Sequence, residues 1–261
     1  MFDQKTKSWL LVIVSVLAIV SLCFVGRIPQ DAEYHQFADS RQIAGISNFW
    51  NVLSNLPFLL VGLFGLWRYP RLAASESKTG YMVLCLGIFL VGFGSAYYHQ
   101  VPSNSSLLWD RLPMTVAFMA LLSLLLGERV TSNYKNVSLW LLVAFGVCAA
   151  LYWSWTESQG RGDLRPYVLV QFLPIVLMPL IQLLFSAKYL RSSLLLYAFV
   201  LYFLAKACEH FDQEIYGMTQ FVSGHTLKHL VAALAVLCII GAVPVRGANN
   251  LFKPKPLRGS A

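Results

Sequence analysis

Eight long apolar segments dominate the sequence, and each approaches the roughly 20 residues that a helix needs to cross the hydrocarbon core of a membrane. Their uninterrupted length favours helices over barrel strands, which alternate in character over about ten residues. The sequence therefore predicts an all-α integral membrane protein with eight transmembrane helices. The segments are Trp9 to Gly26, Ser47 to Trp67, Gly80 to Tyr98, Leu112 to Leu126, Val137 to Trp155, Pro166 to Phe185, Ser193 to Cys208 and His225 to Val243.

The composition agrees with a membrane protein. Hydrophobic residues make up 57% of the chain and charged residues 12%, whereas an ordinary soluble domain has roughly 25% charged residues. A chain this apolar is neither a soluble globular protein nor a disordered one, since disorder requires low hydrophobicity.

The positive charges predict the orientation, because Lys and Arg accumulate in cytoplasmic loops. Thirteen of the twenty lie at the N-terminus, in alternate loops and in the C-terminal tail, against five in the opposite loops. Both termini are therefore predicted to be cytoplasmic. The net charge of +8 thus has a topological explanation, and we expect no nucleic-acid partner.

The first apolar segment follows Lys5 and Lys7, as the core of a signal peptide would. The sequence Gly26-Arg27-Ile28-Pro29 offers no clear small-residue cleavage site after it. We therefore expect this segment to remain as a transmembrane helix. If it were removed, seven spans would keep the same orientation.

Several common functional patterns are absent from the sequence. The five cysteines are isolated and show no CxxC spacing, so they are expected to be small apolar packing residues. There is also no phosphate-binding glycine loop and no nucleophile elbow of the GxSxG type.

The histidines give the first positive indication of chemistry, because all five fall on or near the predicted outer side. His225 and His229 stand four residues apart and so share one helix face, where two imidazoles can bind one metal ion. Ser95 precedes His99 by one helical turn at the end of the third span. Taken alone, Ser95 and the small residues around it favour close helix packing over a chemical role.

Asp110 is predicted near the start of the fourth span, with Pro113 in the first turn. There it could cap the helix or interact with its dipole. The combination suggests more, because three histidines from two helices suit an open catalytic zinc site. Asp110 could then accept a proton from water, and Ser95 could donate a hydrogen bond to an oxyanion.

A second polar cluster follows the seventh span and contains Glu209, Asp212 and Glu214. The favoured interpretation is a solvated loop whose acids neutralise Lys206 or Lys228. Alternatively, Glu209 or Asp212 could accept a hydrogen bond from a ligand histidine and fix its tautomer. The two other histidines, His35 and His210, are not assigned as metal ligands.

Four motifs together resemble the alkaline ceramidase family, whose wider superfamily includes adiponectin and progestin receptor-like proteins and GPI-remodelling proteins. They span about 180 residues, and they are Asn48-Phe-Trp-Asn-Val-Leu-Ser54-Asn55, Gly92-Phe-Gly-Ser-Ala-Tyr-Tyr-His99, Leu108-Trp-Asp-Arg-Leu-Pro-Met114 and His225-Thr-Leu-Lys-His229.

The resemblance implies His99, His225 and His229 as zinc ligands, with Ser95 and Asp110 as catalytic residues. It also implies amide hydrolysis of ceramide or a related N-acyl lipid, with release of a fatty acid. A lipid substrate and a membrane are the expected partners.

The sequence departs from eukaryotic alkaline ceramidases in the segment before their first helix, where those proteins bind calcium. This chain has Tyr34-His-Gln-Phe-Ala-Asp-Ser-Arg41 there, and Asn48 replaces a later Glu. The departure argues against calcium regulation and against a close ceramide specificity. The segment looks more like bacterial ceramidase-domain proteins, so we expect the bacterial inner membrane as the location.

The predicted organisation has three parts: an N-terminal helix and outer loop at 1–46, a seven-helix ceramidase-like hydrolase domain at 47–245 and a basic cytoplasmic tail at 246–261. Ester cleavage remains an alternative to amide cleavage. So does a receptor-like or lipid-binding protein with a structural zinc. A transporter or a haem carrier is a third possibility. The transporter is disfavoured because the ionisable residues gather at one face.

Overall fold

The computed structural model describes residues 3–73, 78–133 and 135–246. Within these ranges the chain is helical and contains no β-strand. The predicted C-terminal tail lies outside the described residues, apart from Arg246. The α-helices are α1 (Gln4–Cys23), α2 (Phe49–Leu53), α3 (Leu56–Arg68), α4 (Lys78–Gln100), α5 (Asn104–Leu125), α6 (Lys135–Ser158), α7 (Arg165–Leu184), α8 (Ser192–His210), α9 (Asp212–Thr219) and α10 (Gly224–Ala242).

The described residues contain eight helical segments long and apolar enough to cross a membrane, which confirms the predicted all-α, multi-pass fold. Two of them join neighbouring elements. The second span, Phe49–Arg71, contains α2, α3 and a 3-10 turn, and the fourth, Asn104–Val130, extends α5 by a π-helical turn. The N-terminal helix α1 packs mainly against α7, and Leu11 is its one buried residue.

A short break divides the second span at Ser54 and Asn55, where α2 ends and α3 begins. Pro57 occupies the first turn of α3, a position that tolerates its missing N–H. Around the break, the side chains of Asn48, Asn51 and Ser54 contact neighbouring helices. Ser54 and Asn55 also donate to the Asn51 carbonyl within the motif. The consequence of the break for the histidines is described below.

The predicted start of the fourth span is wrong by two helical turns. The helix begins at Asn104, after a connection of three residues, because the Ser103 hydroxyl caps it by accepting a hydrogen bond from the Ser106 N–H at 3.2 Å. Polar side chains occupy this first turn, so hydropathy gave no signal for it. Asp110 therefore lies in the second turn of the helix and does not cap it, and Pro113 lies inside the helix.

The interior proline accounts for the close contact between α4 and α5. Pro113 has no N–H to donate to the carbonyl four residues earlier, so the Trp109 carbonyl lacks that helical hydrogen bond. Gly94 of α4 packs against this carbonyl, and a Cβ at Gly94 would lie 2.0 Å from the Trp109 oxygen. Only glycine fits there, which fixes the register of α4 beside α5.

Helices α8, α9 and α10 pack together and meet at one end of the bundle. Helix α10 packs extensively along α8, and the short α9 connects them. Ser223 caps α10 by accepting from the Thr226 N–H at 3.1 Å. The Asp212 carboxylate accepts from the backbone N–H of His225 at 2.6 Å and from that of Ala38 at 2.9 Å. These contacts fix the start of α10 against the segment that follows α1.

Candidate active site

Three buried histidines meet where α4 and α10 approach each other. His99 comes from the end of α4, and His225 and His229 come from the first two turns of α10. One nitrogen from each ring can be chosen so that all three lie within 4.8 Å of one another. The Nε2 atoms of His99 and His225 are 3.3 Å apart.

This arrangement fits a bound metal ion. Two imidazole nitrogens on one tetrahedral zinc, at about 2.0–2.1 Å each, would be separated by roughly 3.3 Å, as His99 and His225 are. The Nδ1 atom of His99 is buried and has no hydrogen-bond partner. Three imidazoles without a carboxylate favour zinc or another transition metal over calcium and magnesium, which prefer oxygen ligands.

A hydrogen-bonded chain from α2 orients His229. The Ser54 Oγ lies 2.7 Å from His229 Nδ1 and also donates to the Asn51 carbonyl at 3.1 Å. In this network Ser54 accepts the Nδ1–H of His229, which leaves the Nε2 lone pair free for a metal ion. Asn51 Oδ1 accepts from the Thr226 hydroxyl at 2.8 Å and so ties α2 to α10.

The sequence motif that contains these residues was recognised, but no contact was predicted for Ser54, Asn51 or Asn48. Asn48 Nδ2 donates to the His99 carbonyl at 2.8 Å, so this motif contacts both helices that carry the histidines. Asn48 also has a positive φ of 49°, a backbone conformation that asparagine tolerates better than most residues.

Phe37, in the segment before α2, covers the histidines. Its ring lies edge-on to both His99 and His225, with centroid separations of 4.7 Å. His35 does not join the cluster, because its Nδ1 lies 3.0 Å from the Tyr98 hydroxyl and its Nε2 lies 2.9 Å from Asn104 Oδ1. His210 is exposed and also stands apart from the cluster.

Ser95 and Asp110 lie beside the histidines on the wall of one cavity. The cavity has a volume of about 390 Å³, and His229 lines it together with these two residues. The Ser95 and Asp110 side chains are close enough to interact with each other. The structure thus brings together all five residues that the sequence singled out, with Asp110 in the second turn of α5.

The rest of the cavity is predominantly apolar and extends between the helices away from the histidines. Its walls include Ile88 of α4, Leu121 and Leu125 of α5, Met178 of α7 and Leu195 of α8. At 1.5 Å per residue, Leu125 lies about 22 Å along α5 from Asp110. The shape suits an acyl chain whose polar end reaches Ser95 and Asp110.

The acidic cluster after the seventh span acts on lysines and on the backbone. Glu209 forms ion pairs with both Lys206 and Lys228, as predicted. The predicted solvated loop is wrong for Glu209, which lies in the last turn of α8 and lines the cavity. The alternative interpretation is wrong in this structure, because neither Glu209 nor Asp212 accepts from a ligand imidazole. Asp212 contacts the backbone N–H of His225, so it positions the ligand through the start of α10.

A second acid anchors the segment that covers the site. Asp39 is 1% exposed and accepts hydrogen bonds from Arg41 Nε at 2.8 Å and Nη2 at 2.6 Å. Burial alone would raise the pKa of the Asp39 carboxyl, but the hydrogen bonds from Arg41 outweigh burial and hold this pKa below its ordinary value. Arg41 also donates to the Phe221 carbonyl, which joins this segment to the turn before α10.

A buried three-histidine cluster, beside a serine and an aspartate on the wall of an apolar cavity, defines a multi-pass membrane protein with a candidate metal centre. Comparison with known proteins agrees with the motifs. The model of the Ceramidase family matches residues 35–248. The chain belongs to the Ceramidase family.

A curated protein of Dictyostelium discoideum, named "Putative alkaline ceramidase dcd3A", is 27% identical to this chain over 128 residues. The match covers 39% of this chain and 44% of the relative, so it spans less than half of the relative's length.

Proposed function

We propose that this protein is a membrane-embedded, zinc-dependent amidohydrolase that cleaves the amide bond of ceramide or a related N-acyl lipid and releases a fatty acid. The observation that carries the proposal is the meeting of three metal-ligand histidines with Ser95 and Asp110 at the polar end of an apolar cavity. Membership of the Ceramidase family and the name of the Dictyostelium relative support the same reaction.

In this proposal His99, His225 and His229 bind the metal ion, and Ser54 fixes the tautomer of His229. A zinc ion bound there would supply Lewis acidity toward the amide carbonyl and lower the pKa of water. Asp110 accepts a proton from the attacking water and delivers it to the leaving amine. The Ser95 hydroxyl donates a hydrogen bond to the oxygen that becomes negative as the carbonyl is attacked.

The apolar length of the cavity binds the acyl chain, and the lipid enters from the membrane. Lipid binding in a cavity between helices keeps the chain out of water and places its amide at Ser95 and Asp110. The catalytic unit corresponds to residues 47–245, and both termini face the cytoplasm in this proposal. No feature of the described residues favours a receptor or a haem carrier over a hydrolase.

The test is hydrolysis of a lipid panel by the purified, metal-replete protein. The panel contains ceramides and N-acyl amino lipids, together with matched esters, and mass spectrometry identifies any released fatty acid. Asp110→Asn keeps the size and polarity of the side chain, and we expect it to reduce kcat by about 10²–10⁴-fold while zinc content stays at the wild-type level. Elemental analysis of the purified protein measures that content.

A surface variant, Gln159→Ala, is the control for loss of activity through handling, since this exposed residue lies in the turn after α6. Hydrolysis that persists in Asp110→Asn and in His225→Ala would contradict the proposal. Zinc binding without cleavage of any amide or ester would instead favour the receptor-like alternative.

A further inference from the structure

Arg111, which follows Asp110, has an environment that the proposed reaction does not explain. The residue is 5% exposed. Its guanidinium carbon lies 4.1 Å from the centroid of the Trp153 ring and 4.5 Å from that of Tyr167. Nη2 donates to Gln30 Oε1 at 2.6 Å, whereas Nη1 is buried and has no hydrogen-bond partner.

A second feature of Arg111 is that no carboxylate among the described residues forms an ion pair with it. By contrast, Arg129, which is also buried, forms an ion pair with Glu128. Aromatic faces stabilise a cation in part, but a buried cation with a free N–H donor remains a site for an anion.

Arg111 lines the cavity together with Asp110 and His229, so it lies at the polar end. Tyr34 and Tyr167 line the same end, whereas the apolar walls lie farther along the helices. An acyl chain that occupies the apolar part must place its amide at Asp110. The group that reaches Arg111 then belongs to the other half of the substrate, the part derived from the amine.

We propose that Arg111 and the aromatic rings around it form an anion-binding subsite, and that the amine-derived part of the substrate carries a carboxylate. The proposal rests on the proposed hydrolase function and names its substrate class as N-acyl amino acids or lipids with the same anionic group. A planar carboxylate matches the guanidinium plane. A doubly charged phosphate fits less well, because the Asp110 carboxylate lines the same end of the cavity.

The experiment compares two amides that differ only in charge. N-palmitoylserine carries a carboxylate where N-palmitoylserinol carries a hydroxymethyl group, and both have the same acyl chain. We expect the metal-replete wild-type protein to hydrolyse the serine amide with a kcat/KM at least tenfold higher. In Arg111→Gln this preference falls to near unity, because the carboxylate of the serine amide loses its partner.

The matched control is Arg165→Gln. Arg165 lies at the same end of the bundle, but it is paired with Asp163 and does not line the cavity. This variant should keep the wild-type preference. Arg111→Lys retains the charge and loses the planar pair of donors, and it should give an intermediate preference if Arg111→Gln does not fold.

Binding measurements separate this inference from the hydrolase proposal. The affinities of both amides are measured on the wild-type protein, without reliance on turnover. Tighter binding of the serine amide that depends on Arg111 supports the subsite even if neither amide is cleaved. Absence of cleavage would contradict the hydrolase proposal and leave the subsite proposal intact. Equal affinity and equal kcat/KM for the two amides in the wild-type protein would overturn the subsite, as would a full preference in folded Arg111→Gln.

Discussion

Ser54 and His229 are joined by a 2.7 Å contact between Oγ and Nδ1, across the boundary between the second and the last membrane span. Ser54 lies at the break between α2 and α3, and His229 lies one turn beyond His225 on α10. Because the serine also donates to the Asn51 carbonyl, its oxygen is directed as an acceptor toward the imidazole. The break in the second span thus determines which nitrogen of His229 faces the proposed metal.

Replacement of this serine should weaken metal binding without removing a ligand. We expect Ser54→Ala to lower zinc affinity by about 10–100-fold, the usual cost of losing a partner that orients a ligand histidine. A titration against a competing chelator measures the change. Ser123→Ala is the matched control. Ser123 is also buried, but it donates to the Lys135 carbonyl and lies near the end of α5 that is far from the histidines. An unchanged affinity in Ser54→Ala would show that His229 is oriented by other contacts.

The ring of Phe37 is expected to slow metal exchange. Phe37→Ala exposes the edges of His99 and His225, because the phenyl ring lies 4.7 Å from both. The apolar surroundings of a metal site limit access of water, so zinc should be released to a chelator several-fold faster. Phe37→Leu keeps an apolar side chain and should release zinc at a rate closer to wild type. Equal release rates in all three proteins would exclude a covering role.

Loss of Glu209 should destabilise the protein because it leaves two lysines without their counter-ion. Glu209 contacts both Lys206 and Lys228, and Lys228 lines the cavity. We expect Glu209→Gln to lower the free energy of unfolding by about 1–3 kcal/mol, measured by denaturation in detergent. Lys206→Met should cost less, since Glu209 keeps Lys228 as a partner. The double variant should recover part of the loss, and strict additivity would contradict this coupling.

Acid should weaken the anchor formed by Asp39 and Arg41. The folded-state pKa of Asp39 is below its ordinary value, so the ionised carboxylate stabilises the folded protein. This contribution is complete above the unfolded-state pKa of about 3.9 and decreases as the pH falls through the lower folded-state pKa. The difference in Tm between wild type and Asp39→Asn should therefore be constant from neutral pH to about pH 5 and then shrink.

The control for this pH dependence is Gln159→Ala, since Gln159 is exposed, has no titratable group and lies outside the three-histidine cluster. Its Tm should follow that of the wild-type protein throughout the titration. A difference between wild type and Asp39→Asn that grows on acidification would mean that the pKa of Asp39 is raised instead of lowered.

The existence of the eight spans could be predicted from hydropathy alone, because each span shows an apolar excess long enough for a membrane. The start of α5 could not, since a serine cap and a polar first turn carry no hydropathy signal. Placement of Asp110 failed for that reason. The proposed role of Asp110 is unaffected, because it rests on the residue type and on the order relative to His99, which do not depend on where the helix begins.

The site was predictable as far as residue types and helical periodicity extend. The spacing of His225 and His229 indicates a shared face, and the placement of His99 at a span end indicates the same side of the membrane. The contact from Ser54 joins residues 175 positions apart, and no local pattern encodes it. The environment of Arg111 could not be predicted for a similar reason, because the rings that surround its guanidinium come from α6 and α7.

The three-residue connection between α4 and α5 has a consequence for how the protein matures. It makes His99, Ser95 and Asp110 members of one helical hairpin, which can form as soon as its two spans have entered the membrane. His225 and His229 are synthesised more than 100 residues later, on the last span. The three-histidine cluster is therefore incomplete until α10 docks against α4. The proposed hydrolase would therefore act on membrane lipids only after α10 has joined the bundle.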